Sequence, residues 1–205
     1  MVAAISAGLA GYKLPITFIG GSTGSTLVSG VTSVSFSGQQ VGDVMIAMGA
    51  SQQTTDPSFT AGWTKICSFV GSGAGALRIG TLVWKRATTT ATDTLTFTGT
   101  GSSAAIYSAG YIFRNVRDIG NFGVVNTTST TGSTSIPSPT LTLSDTTTGQ
   151  SALVAAIHTS GITAAPNSMT VSNGMAYGLL RSSWAGGNFT ASNVIPISGI
   201  VELLN

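Results

Sequence analysis

Charge is scarce in this chain. Eight Lys and Arg and six Asp and Glu are spread over 205 residues, 7% in all, against roughly 25% in ordinary globular proteins. The surface has to be covered mainly by Ser, Thr, Gly, Asn and Gln. No basic stripe exists to neutralise a run of phosphates or an anionic membrane, so nucleic acid is not an expected partner. Copies of such a chain hardly repel one another, which favours life in an assembly. Cysteine occurs once, at Cys67, which excludes an intrachain disulfide framework and a multi-cysteine zinc site. Beside Ile66 it reads as a small buried hydrophobe. Histidine also occurs once, so His158 has no second imidazole to share a metal with, and any Ser/His/Asp triad would have to use it. No GxSxG elbow is present to hold a nucleophile. The glycine-rich GGSTGST (20–26) lacks the lysine and the helix of a phosphate-cradling loop. Neither a cofactor nor a metal is expected.

Helix signals are missing as well. Glutamate occurs only at Glu202, and no window spaces apolar residues at three and four among good helix formers. The N-terminus, MVAAISAGLAGYKLP, has no basic start, and its first positive charge, Lys13, follows the apolar tract, so it does not read as a secretory signal. Uncharged stretches such as 14–42 are broken by Gly, Ser and Thr. The mean hydropathy of +0.38 therefore reflects missing charge and not a membrane span.

Strand signals are abundant. TSVSFSG (32–38) alternates Val34 and Phe36 with serines, DTLTFTG (93–99) does so with Leu95 and Phe97, and SPTLTLSD (138–145) with Leu141 and Leu143. That period of two predicts strands with one wet face. VMIAMGA (44–50), AIYSAGYIFRNV (105–116), SALVAAIH (151–158) and SGIVELL (198–204) are continuously apolar with small residues interspersed, as in strands buried on both faces. Clusters of Gly, Ser, Thr, Pro and Asn punctuate them, with GSGAGA (71–76) and TGTGSS (98–103) as loop tips. The expected fold is all-β, an antiparallel β-sandwich with a jelly-roll-like pattern of about nine to eleven strands.

An internal echo bears on domain organisation. GDVMIAMGAS (42–51) is matched by QSALVAAIHTS (150–160), TLVWKRAT (81–88) by YGLLRSSW (177–184), and the run 94–113 by 188–203. The pseudo-repeats cover about 31–118 and 135–205. Each half alone would bury little, so a single sandwich over 31–205 is expected, with residues 1–30 as an N-terminal arm or first strand.

The candidate site residues each have a plain structural reading. Asp43, Asp93 and Asp145 stand at strand ends, where short polar side chains bond their own turns, and Asp56 precedes Pro57 in a loop. None makes a catalytic pair, so no catalytic residue is assigned. Trp63 and Trp84 are read as packing residues. Trp184, in SSWAGGN, and Tyr177 are candidates for stacking on a sugar. Arg114 and Arg117, in FRNVRD, can bridge to Asp118 or to a neighbouring subunit, or form a solvated loop pair.

The order of motifs resembles a family. Gly42 and Asp43 before an apolar strand, Gly62, Trp63 and Thr64, then Arg86 and Ala87, then Tyr111, Arg114 and Val116, then Leu153 and Val154, follow the pattern of β-sandwich structural proteins of tailed-bacteriophage virions. The resemblance covers about 30–205. It implies a non-enzymatic component on the virion exterior, foremost a capsid decoration or accessory subunit. A tail or baseplate fibre or receptor-binding module touching host surface glycans is the alternative, and a cell-surface hydrolase ranks last for want of an acid and base pair. The implied partners are other virion proteins of capsid or tail and further copies of the chain, a trimer included. The absence of a long repetitive stalk points away from a free-standing fibre and towards a compact protein attached by its N-terminal arm.

Overall fold

The computed structural model describes residues 14–26, 30–51, 55–73, 76–100, 106–126, 139–144, 151–160, 176–184 and 197–205. Regular structure among them is entirely extended. The strands are β1 (Thr17–Thr26), β2 (Val31–Phe36), β3 (Val44–Ser51), β4 (Ser58–Phe59), β5 (Thr64–Gly73), β6 (Ala76–Arg86), β7 (Asp93–Thr98), β8 (Ile106–Arg114), β9 (Asp118–Val125), β10 (Ser151–Ser160), β11 (Ala176–Trp184) and β12 (Ile197–Leu204). Eleven of them run six residues or more and β4 only two, in agreement with the all-β expectation. No helix among the described residues is long and apolar enough to cross a membrane.

They form three sheets, ordered β1-β8-β3-β6-β5, β11-β10-β12-β9 and β2-β7-β4. Neighbours are antiparallel throughout except β10 and β11, which run parallel. The five-stranded sheet is the middle layer. Through Val44, Ile46, Met48, Phe69, Leu82 and Phe113 it packs against Ala152, Val154, Val201 and Leu203 of the four-stranded sheet. On its other face Met45, Ala47, Val83 and Ile112 meet Val34, Phe36, Leu95 and Phe97 of the three-stranded sheet.

This layering explains the two kinds of apolar pattern. In β3 successive side chains point to opposite faces, and both faces are covered, so all of Val44–Ser51 is buried. In β2 only alternate residues are buried, because the far side of that outer sheet meets solvent. The wet face is stitched by hydroxyl pairs such as Ser33 with Thr96, 2.9 Å apart.

Glycines in the middle sheet serve as sockets. A Cβ at Gly49 would overlap the ring of Phe97, one at Gly110 the ring of Phe36, and one at Gly80 the ring of Phe69. Phe97 and Phe36 come from the outer three-stranded sheet, so two of the sockets lock one layer onto the next. Each of these rings is fully buried, and that burial stabilises by about 1.5–3 kcal/mol per side chain.

The stretch 138–145, read as an alternating strand, is corrected in part: its described residues, 139–144, form no ladder. Side chains hold the segment instead. The Ser144 N–H donates to the Glu202 carboxylate at 2.9 Å, and Asn121 Nδ2 donates to the Thr142 carbonyl at 2.9 Å.

The echo has a spatial counterpart. β3 lies between β8 and β6, and its match β10 lies between β12 and β11, the strands that match β8 and β6. The direction differs at one position, since β3 and β6 are antiparallel while β10 and β11 are parallel.

Gly49→Ala should cost about 1–3 kcal/mol in urea unfolding, the usual effect of forcing extra atoms into a packed core. A Cβ at Gly20 would meet nothing within 4 Å, so Gly20→Ala should stay within about 0.5 kcal/mol of the parent chain. Equal losses at the two positions would refute the socket role.

Candidate functional site

The described carboxylates fasten strands and loops together. Asp43, at the entry to β3, is buried. It accepts Arg114 Nε on Oδ1 at 3.0 Å and Arg114 Nη2 on Oδ2 at 2.8 Å, a two-pronged pair, and Oδ2 also accepts the Gln40 N–H at 2.8 Å. Burial raises the Asp43 pKa, but the hydrogen bonds from Arg114 and Gln40 and the guanidinium charge outweigh it, leaving the carboxyl below its ordinary 3.8. Asp56 draws its loop onto β5 and β6 by accepting from Lys65 Nζ, from the Ser68 hydroxyl at 2.8 Å and from the Thr81 hydroxyl at 3.1 Å. Its pKa is likewise lowered, with partial burial opposing and those donors prevailing. Asp93 pairs with Lys85 at 2.6 Å, and Asp118 accepts the N–H of Ile119 at 2.8 Å. Asp145 lies outside the described residues.

Glu202 is fully buried at the outer face of β12. It accepts the Ser144 N–H, the Ser144 hydroxyl at 2.7 Å, the Asn121 N–H at 3.2 Å and the Ser151 hydroxyl at 3.2 Å. Such donors are what a buried carboxylate requires. The only acidic residue inside the apolar run SGIVELL was a visible sign of such a role; its partners, 51 to 81 positions away, were not.

Arg86 acts at the same end of the molecule as Asp43. Its Nη1 donates to the carbonyls of Gly42 and Val116, both at 2.8 Å, and its Nη2 to that of Arg117 at 2.7 Å. Gly42 and Ala87 are tied by backbone bonds, as are Ala87 and Asp43, both at 2.8 Å, and the Arg117 N–H reaches the Leu204 carbonyl at 2.7 Å. Asn115, in a left-handed conformation with φ of 62°, donates to the Pro15 carbonyl at 2.9 Å. Thus the turn before β3, the end of β6, the connection from β8 to β9 and the last residues of the chain are clasped together. Gly42, Asp43, Arg86, Ala87, Arg114 and Val116, read from the sequence as separate motifs, converge there.

Of the expected contact residues, Arg114 is committed to Asp43 and not to Asp118, while Arg117 is exposed and its backbone belongs to the clasp. Trp63 is buried at 7% exposure against Phe36, ring centroids 5.2 Å apart, with Lys85 Nζ 5.9 Å from its ring. Trp84 is partly buried against the opposite core. Tyr177 and Trp184 stand opposite Leu153 and Ser160 in the β10–β11 ladder, and their side chains lie outside the described part, as does that of His158. Among the described residues no group of three or more His, Cys, Asp and Glu could hold a metal ion.

Two surface features remain. Leu14 (57% exposed), Phe18 (53%) and Val41 (67%) present apolar side chains at the clasped end, where residues 1–13 join. Beside β9, Gly120, Asn121, Phe122 and the segment Thr140–Thr142 line an open groove of about 360 Å³ without a charged residue.

No model of a protein family, no curated protein and no solved structure matches the chain.

The lowered carboxyls fix the sign of a pH dependence. A group whose folded pKa is depressed contributes stability that is complete above its unfolded value and lost as pH falls through the folded one. Stability linked to Asp43 and Asp56 should be level from pH 7 to roughly 5 and decline below about 4. Asp43→Asn should lower the plateau by about 1–2 kcal/mol, allowing for the partly exposed guanidinium, and should flatten the acid decline. Urea midpoints measured across this range would decide, and an acid decline unchanged in the variant would contradict the assignment.

Proposed function

We propose that this protein is a non-enzymatic structural component on the exterior of a tailed-bacteriophage virion, and that it decorates the capsid in several copies. The observation that carries the reading is the convergence, at one end of the molecule, of six of the residues on which the family resemblance rests, Gly42, Asp43, Arg86, Ala87, Arg114 and Val116, with exposed Leu14, Phe18 and Val41 beside them. A clasped end bearing exposed apolar side chains suits attachment to a larger surface. A surface with few charges suits close packing among neighbours. The commitment of Asp43, Asp56, Asp93 and Glu202 to structural bonds is consistent with a role without chemistry. A tail or baseplate module is the second reading. The uncharged groove beside Phe122, open and polar-rimmed, is the feature that favours it, through contact with a neutral host glycan.

Purified particles separated into heads and tails provide the test. Quantitative mass spectrometry should find the chain with the heads, in a fixed proportion to the major capsid protein. Recovery with the tails in a few copies would establish the second reading, and absence from particles would overturn both. Removal of residues 1–13, which leaves β1 whole, should strongly reduce head occupancy; full occupancy would show that the N-terminal segment is not the attachment.

A further inference from the structure

Among the described residues the three sheets end in six edge strands, and an open edge is a template for pairing unless something blunts it. β5 carries Lys65 at a bulge, and its Val70 N–H is taken by Asn126 Oδ1 at 2.7 Å. β9 has a register irregularity and lies beside the segment 139–144, which Asn121 and Glu202 hold in place. β4 is two residues long, and β2 is six residues long. β11 carries Arg181. β1 differs from these. It is ten residues long, pairs among the described strands with β8 alone, and runs in unbroken register from Gly20 to Thr26 after a single bulge near its start. Between Lys13 and Asp43 the chain has no charged residue, and β1 contains no proline.

We propose that β1 is a self-association edge: two copies pair their β1 strands antiparallel about a two-fold axis, joining their five-stranded sheets into one. The strand commits to this occupant by its chemistry. A foreign peptide added to a sheet edge gains specificity from pockets for its alternate side chains, and Gly20, Gly21, Ser22, Thr23, Gly24, Ser25 and Thr26 are too small to build them. A strand paired antiparallel with itself needs no such pockets, because each copy supplies the same N–H and C=O groups to the other across the axis. The missing charge removes the repulsion that would otherwise oppose two identical surfaces. Phe18, half exposed where β1 begins, adds apolar area at the rim. The inference specifies the several-copy part of the proposed function and does not require that the assembly be a virion.

Gly20 provides the test because a side chain there meets open space in the single chain. Light scattering coupled to size exclusion, over a dilution series of the full chain, should show a concentration-dependent dimer. Gly20→Lys places like charges at the paired edge and should weaken the dimer at least about tenfold, whereas Gly20→Ala should dimerise as the parent does. Matching circular dichroism and urea midpoints would establish that both variants fold. A parent chain that stays monomeric at every concentration overturns the proposal, as does a Gly20→Lys oligomer as stable as the parent's. Head occupancy of Gly20→Lys, scored separately, distinguishes loss of pairing from failure of the virion reading.

Discussion

Burying one β-sheet on both faces requires that side chains from above and below find room in it at the same time, and the rest of this molecule follows from how that is achieved. Phe36 and Phe97 reach in from the three-stranded sheet and are received at Gly110 and Gly49. On the opposite face Phe69 fills the space over Gly80 and against Gly199 of β12. Packing at the density of a protein interior makes each of these fits specific, because a single added methyl group has nowhere to go. The glycines are also why the central strands can be wholly apolar and yet closely covered. The two outer sheets are thereby fixed to the middle one by shape, with polar links such as Lys85 to Asp93 and Thr32 to Ser108 beside it.

That dependence explains what could be read from the sequence and what could not. The alternation in 32–38 and 93–99 and the continuous apolar runs at 44–50 and 105–116 report local exposure, and exposure follows the period of a strand wherever a layer ends or continues. They gave the strands and the correct faces for Val34, Phe36, Leu95 and Phe97. The number of layers is set by pairings between residues far apart in the chain, which local pattern does not encode. For the same reason Gly49, Gly80 and Gly110 looked like small residues among apolar ones, and their ring partners were invisible. The stretch 138–145 shows the opposite failure: its alternation was real, but no strand lies in register beside its described part, and a buried Glu202 anchors it.

The candidate site divides in the same manner. Trp63 and Trp84 could be assigned to packing because a large ring beside an apolar strand is most stable when covered; Trp63 lies within one core and Trp84 packs, partly buried, against the other. The partners of Arg114 and Arg86 could not be assigned. Arg114 stands next to Arg117 and Asp118 in sequence, yet its carboxylate is 71 positions earlier, because the antiparallel pairing of β8 with β3 brings the end of one to the start of the other. The echo between the halves conveyed strand order better than direction. It matched segments along the chain, and the structure adds that β3 and β10 each stand between matched neighbours while β11 is reversed.

With so few charges, their placement is informative. Asp43 with Arg114, Arg86 with three carbonyls, and Asp56 with Lys65 all act where strands end and loops cross. There, backbone groups leave the ladders and need other partners. Charge is used to close the ends of the layers, and the flat parts of the molecule are left to hydroxyls and glycine. Among the edge strands β1 lacks the charged residues that usually keep edges apart. The same sparing use of charge that lets three sheets stack on glycine and phenylalanine is what the proposed pairing of β1 draws on, so that packing within the chain and the proposed association between chains share one origin in composition.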